Sequence, residues 1–183
     1  MSFLTHARRR RLPLAAALLL AATTVLGLPG MSAHAATASL TCTGSSPITY
    51  SPGLRFTPRT ITYIETDTYT GCLDTADPTL TAGSSINSAT GNFSCLATLA
   101  TDAGNYTVDW NNGQSTTFYL TFTDTIADGI ETVTGTGTAT SGELTGATAV
   151  FVWVYTVPNL LACLTPTGAT SQSGVIVATV VST

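Results

Sequence analysis

The stretch Tyr106-Thr107-Val108-Asp109-Trp110-Asn111-Asn112-Gly113-Gln114-Ser115-Thr116-Thr117-Phe118-Tyr119-Leu120-Thr121-Phe122-Thr123-Asp124-Thr125 decides the fold class. Side chains on a strand alternate between two faces, so apolar residues recurring every second position mark a half-buried strand. Tyr106, Val108 and Trp110 form one such set; Phe118, Leu120 and Phe122 form a second, with Tyr119, Thr121 and Thr123 outward. Asn112-Gly113 between them predicts a type I′ hairpin, because both central residues of that turn need φ > 0. Asp128-Gly129 marks the next turn, into an Ile130–Thr140 strand whose Gly135 and Gly137 predict a bulge or a close packing contact.

The same alternation extends both ways. Upstream it predicts strands over 37–43 (Ala38, Leu40 and Cys42 on one face), 48–51 and 59–69. Residues 73–91 are turn-rich and read as a long loop with at most one short strand, and 93–99 fits either a strand or one helical turn. Downstream, 141–146 turns the chain into a 147–157 strand, and a last strand spans 174–181. Eight or nine antiparallel strands joined by Gly, Asn and Asp turns predict an all-β domain. A single immunoglobulin-like β-sandwich is the expected architecture; a closed barrel satisfies the same pattern.

Composition narrows the chemistry. Residues 1–35 have the three parts of a secretory signal peptide: Arg8–Arg11, an apolar run over 12–28, and the cleavage pattern Ala33-His34-Ala35. The expectation is a cleaved leader and a freely secreted β-domain over 36–183, with no membrane attachment after cleavage. The C-terminal Val180-Val181-Ser182-Thr183 carries no sorting signal. Those 148 residues hold no Lys, His or Met, two cations (Arg55 and Arg59) and ten carboxylates, so their formal charge is 2 − 10 = −8. His-dependent catalysis, lysine Schiff bases, His-ligated zinc and a nucleic-acid surface are thereby excluded. Four cysteines in an exported chain imply two disulfides. Of three pairings, Cys42–Cys72 with Cys95–Cys163 is favoured because each pair flanks strand-like segments, though spacing alone leaves the choice open.

Among the carboxylates, Asp109 is out of phase with Val108 and Trp110 and is expected in solvent. Asp124, Asp128, Glu131 and Glu143 read as solvated turn charges. Asp124, Asp128 and Glu131 could offer oxygen ligands to calcium around Gly129, but the spacing is not that of an EF-hand loop. No metal, cofactor or catalytic residue is assigned.

The segment Ala149-Val150-Phe151-Val152-Trp153-Val154-Tyr155 is apolar on both faces, with three rings on one and valines on the other. Such a ring row is a strand core, a protein interface or a sugar-stacking platform. Phe151, Trp153 and Tyr155 are therefore the first binding candidates and Tyr119 the second. A secreted or cell-surface protein is the expected partner and a polysaccharide the alternative.

Four stretches carry a family likeness: Ala38-Ser39-Leu40-Thr41-Cys42, Tyr50-Ser51-Pro52-Gly53-Leu54, Trp110-Asn111-Asn112-Gly113-Gln114-Ser115-Thr116 and Leu160-Leu161-Ala162-Cys163-Leu164. With them the chain resembles small secreted actinobacterial (Streptomyces-type) proteins of unknown function. That resemblance implies secretion and an all-β domain, and brings no catalytic residue. In size, acidity, Thr/Gly/Ala bias and paired cysteines the chain is also similar to enediyne-carrier apoproteins, although its cysteines are more widely spaced. That second likeness implies a small-ligand carrier. The functional expectation is a non-enzymatic binding domain: an adaptor or structural subunit of an exported assembly, a carbohydrate-binding module, or a small-ligand carrier.

Overall fold

Alternating apolar residues commit most of the chain to strands, and those strands close on themselves. The computed structural model describes residues 38–99 and 102–182; the leader expected over 1–35 lies outside them. Ten strands follow in order: β1 (Ala38–Ser45), β2 (Ile48–Leu54), β3 (Arg59–Asp74), β4 (Gly83–Phe93), β5 (Gly104–Trp110), β6 (Ser115–Ala127), β7 (Ile130–Gly142), β8 (Thr148–Thr156), β9 (Ala169–Gln172) and β10 (Gly174–Ser182). A one-turn helix, α1 (Leu160–Cys163), precedes β9.

From β3 to β8 each strand pairs antiparallel with the next. β10 pairs with β8 and with β1, and β1 pairs back onto β3, from Leu40↔Asp74 to Ser45↔Thr68. The result is an eight-stranded up-and-down barrel. β2 continues β1 along β3, and β9 precedes β10 alongside β2, so each extends a strand of the ring. The sandwich expectation is thus corrected to a barrel. The deciding contact is β1 with β3, joined across the chain by the Cys42–Cys72 disulfide. Closure also removes the bare sheet edges that a low-charge, threonine-rich strand set would otherwise expose.

The apolar phase of each strand fills the interior, where Leu40, Ile61, Tyr69, Val108, Phe118, Leu120, Phe151, Ile176 and Ala178 are buried. The favoured cysteine pairing is present, and Cys95–Cys163 ties the β4–β5 connection to α1. Two hairpins show the turn chemistry. Asp128 (φ 51°) and Gly129 (φ 79°) both take positive φ and form the two-residue turn. At 110–114, only Gly113 has positive φ (81°), and its N–H bonds to the Trp110 carbonyl at 3.0 Å. That hairpin is therefore a type I turn followed by a left-handed glycine, not the expected type I′. The Asn112 side chain instead accepts from the Gln114 N–H at 3.0 Å. Gly135 and Gly137 mark close packing, as a Cβ on Gly135 would lie 3.0 Å from the Phe122 ring.

The largest departure from expectation is β4. Residues 83–91, expected within a long loop with at most one short strand, belong to an eleven-residue strand over Gly83–Phe93 in continuous register with β3, from Tyr69↔Gly83 to Arg59↔Phe93. Its other edge is barely used. Among the described residues, β4 meets β5 only at Gly83↔Trp110 and Ser84↔Asp109. Beyond those pairs the two strands part, which leaves a seam in the barrel wall.

Candidate functional site

β3 supplies the centre of the site. Its inward phase runs Ile61, Tyr63, Glu65, Asp67, Tyr69, so alternation carries two carboxyls into the interior on the same face as three apolar residues. Glu65 is 8% exposed and Asp67 0%. β7 delivers a third, Glu131, also 0% exposed. This corrects the reading of Glu131 as a solvated turn charge, since it shares the inward phase of Val133. Glu65 and Asp67 are not among the carboxylates singled out from the sequence. The period-2 pattern of 61–69 was the signal that could have found them.

Buried carboxyls are tolerable only when hydrogen-bonded, and each of the three is. Tyr106 donates its hydroxyl to Asp67 at 2.7 Å, and Tyr69 and Tyr106 hydroxyls lie 2.6 Å apart. The Trp153 indole N–H points at the same carboxylate, 3.3 and 3.4 Å from its two oxygens. Tyr155 donates to Glu65 at 3.0 Å and contacts the Ser46 hydroxyl at 2.8 Å. A second chain runs from the Tyr50 hydroxyl to Gln172 (2.6 Å) and from the Gln172 amide to Glu131 (2.7 Å); the Thr98 hydroxyl also donates to Glu131.

Electrostatics follow from that burial. Desolvation pushes Glu65 well above the usual carboxylate range, and the neighbouring Asp67 charge adds to the rise. Burial raises Asp67 as well, against hydrogen bonds from Ser46, Tyr106, Glu65 and Trp153. The two carboxyls are neighbours, and burial favours the protonated form of each. Glu131 is raised by burial, against Thr98 and Gln172. Burial raises the hydroxyls of Tyr50, Tyr69, Tyr106 and Tyr155, which keeps them protonated donors.

Next to Glu65 the interior is not filled. A cavity of about 230 Å³ lies against the β4–β5 seam, its wall built from Tyr63, Tyr106, Phe122, Trp153 and Tyr155 around the Glu65 carboxyl. Asn87 and Ala89 of β4 also line it, together with Leu99 and the exposed Asp102 of the β4–β5 connection. Between Gly83 and the buried Phe93 the inward phase of β4 is Ser85, Asn87, Ala89 and Gly91, too small to fill the barrel on that side. Large rings come from the opposite wall. Tyr155 lies over Gly174, where a Cβ would sit 2.2 Å from its ring, so only glycine lets the tyrosine take this position.

The ring row of β8 is interior. Phe151, Trp153 and Tyr155 are at most 2% exposed. Trp153 packs edge-on to Tyr106 (centroids 5.5 Å) and stacks with Phe151 at 5.7 Å. These residues therefore form no outer interface or sugar platform, but Trp153 and Tyr155 do line the cavity. Tyr119 is on the outside, 51% exposed. The valine phase of β8 also faces out, where Val152 and Val154 oppose Val177 and Val175 of β10.

Among the described residues no group of three His, Cys, Asp or Glu side chains could hold a metal. Asp124 shares the inward phase of Phe122 and keeps one buried oxygen without a hydrogen-bond partner. Arg55 and Arg59 line a separate depression with Phe56, Pro58 and Leu164. There the Arg59 guanidinium donates to the carbonyls of Gly53 and Thr167. No protein-family model, curated protein or solved structure matches this chain.

Proposed function

We propose that the chain is a secreted, non-enzymatic binding protein that carries a small molecule inside its barrel. The observation that carries this reading is the cavity beside Glu65, walled by five aromatic rings and adjoining the β4–β5 seam. Eight-stranded barrels are wide enough either to fill with side chains or to hold one small ligand, and an apolar pocket with a few convergent polar groups is the ordinary form of a ligand site. Hydrolysis by a carboxylate pair fits the geometry less well. Such a pair must flank the scissile bond, whereas Asp67 is fully buried, bonded to Tyr106 and Trp153, and does not line the cavity. Secretion is supported by the leader-like segment and by two disulfides, which suit an oxidising compartment.

The test is a ligand-observed NMR screen of small fragments against the protein and its Ala89→Trp variant, in which an indole is built into the cavity from the β4 wall. Fragments that bind the parent and lose binding in the variant support the reading. Binding that is absent, or indifferent to Ala89→Trp, refutes it.

A second reading, docking to a secreted or cell-surface protein, rests on the outward valines. Val150, Val175 and Val177 are exposed beside half-buried Val152 and Val154. Native-size analysis of culture fluid tests it: a larger complex that Val177→Lys dissolves supports docking, and a monomer counts against it.

A further inference from the structure

We infer that the cavity takes a small organic cation, an ammonium group carried on an apolar or aromatic body. This deepens the carrier reading and rests on it. Three independent features converge. The first is the wall: Tyr63, Tyr106, Phe122, Trp153 and Tyr155 surround the space, and aromatic faces attract cations, Trp most strongly. The second is an acid with no counter-ion. Glu65 lies among those rings with Asp67 behind it, and residues 36–183 contain no Lys or His. Arg55 and Arg59 line the separate depression, not this cavity. A buried carboxylate demands a charged or hydrogen-bonding partner; here the chain supplies hydroxyl, indole and amide donors but no cation. The third is the long-range field. The segment 36–183 has a formal charge of −8, and the exposed Asp102 lies at the cavity, so cations are drawn in and anions repelled.

Size sets the class of body. A volume of 230 Å³ equals roughly seven to eight waters at about 30 Å³ each, room for one aromatic ring with a short chain. Proton balance gives the mechanism a signature. In the empty protein burial and the neighbouring Asp67 favour the protonated form of Glu65. A permanent positive charge beside Glu65 favours the ionised form, so that proton passes to solvent as the ligand's charge takes its place. A neutral ligand leaves it where it is.

Isothermal titration calorimetry in two buffers of different ionisation enthalpy reads both affinity and proton release. The probes are benzyltrimethylammonium, phenethylammonium, neutral 2-phenylethanol and anionic phenylacetate. The expected result is binding of both ammonium probes at least tenfold tighter than 2-phenylethanol, with proton release and with no binding of phenylacetate. In Glu65→Gln, whose fold is checked by near-ultraviolet circular dichroism, the ammonium preference should collapse to under threefold and proton release should vanish. Asp102→Asn, an exposed change that spares the interior, should weaken ammonium binding and lessen its salt dependence. If 2-phenylethanol binds as well as the ammonium probes, the cation inference is overturned while the carrier reading stands. If the fragments and all four probes fail to bind, both fall.

Discussion

Replacing Trp153 separates a structural role from a surface one. Its indole is 2% exposed and touches Tyr106, Phe122 and Phe151 at centroid distances of 5.5, 5.9 and 5.7 Å. Trp153→Ala removes those contacts and leaves a hole that β8, held by ladders to β7 and β10, cannot collapse into. Large-to-small changes of this kind cost about 3–5 kcal/mol. For a domain of this size 1 kcal/mol moves Tm by about 2–4 °C, so a loss of about 4 kcal/mol lowers Tm by roughly 8–16 °C. Trp153→Phe keeps a six-membered ring but removes three heavy atoms, including the N–H. Asp67 then loses its long 3.3 Å donor but keeps Tyr106 at 2.7 Å. The lost donor costs about 1 kcal/mol and the missing ring volume about as much again, so the total should be about 2 kcal/mol. Urea unfolding with disulfides intact measures both, with Tyr119→Ala as the exposed control expected within about 0.5 kcal/mol. An alanine variant less than 1 kcal/mol below the parent, or a phenylalanine variant as unstable as the alanine one, would refute this account of the β8 row.

Acid should stabilise the protein. Burial raises Glu65, Asp67, Asp124 and Glu131, so the folded state binds more protons than the unfolded chain. Their contribution is complete below the unfolded carboxylate range, about pH 4, and is lost as pH rises through the folded values. Exposed Asp77 is lowered by its hydrogen bonds from Thr79 and acts weakly in the other direction. Tm should therefore be higher at pH 4 than at pH 8, with a smaller difference in Glu131→Gln; a higher Tm at pH 8 contradicts the argument. Removing the Cys95–Cys163 bridge, which spans 68 residues, should cost about 4.4 kcal/mol against about 3.6 for Cys42–Cys72, which spans 30. Paired Cys→Ser variants in urea test that order, and a clear reversal means that native-state contacts outweigh loop entropy. Gly137→Ala puts a Cβ 1.9 Å from the Tyr119 carbonyl oxygen and should cost about 1–3 kcal/mol. Gly104→Ala meets nothing within 4 Å and should be near neutral; thermal melts that rank the two alike would show that the barrel wall yields.

The strands legible in the sequence were those with a strong inward phase: Tyr106-Val108-Trp110, Phe118-Leu120 and the β8 ring row are buried as alternation requires, and Phe122 is half-buried against them. β4 was illegible for a physical reason. Asn87 and Ala89 of its inward phase border the cavity, with Ser85 and Gly91 on either side of them, so no apolar alternation marks it. β9, four residues of Ala-Thr-Ser-Gln, carries no apolar alternation either. The choice between sandwich and barrel depends on β1 meeting β3 and β10 at once, a long-range pairing that local periodicity does not encode. The candidate site was half legible. Trp153 and Tyr155 stand out for their rings, and of the three readings of that row (strand core, interface, sugar platform) the core is the one that burial fits. The carboxyls beside them were hidden by the habit of assigning acidic residues to solvent, a habit that the same-phase run Ile61-Tyr63-Glu65-Asp67-Tyr69 contradicts.

Because β10 lies between β8 and β1, the ring has no complete wall until the last strand arrives. The pairs from β3 to β8 join consecutive strands, but this one joins Ala38 to Ser182 across the whole domain. Long-range pairings of that kind make folding slow. A chain entering an oxidising compartment N-terminus first would hold an open, curling sheet, with Cys42 and Cys72 already able to meet. It would bury its acids only when residues 174–182 had followed. The pocket is in that sense the final product of folding: its acidic floor and aromatic wall share one interior only after the two ends of the chain have met.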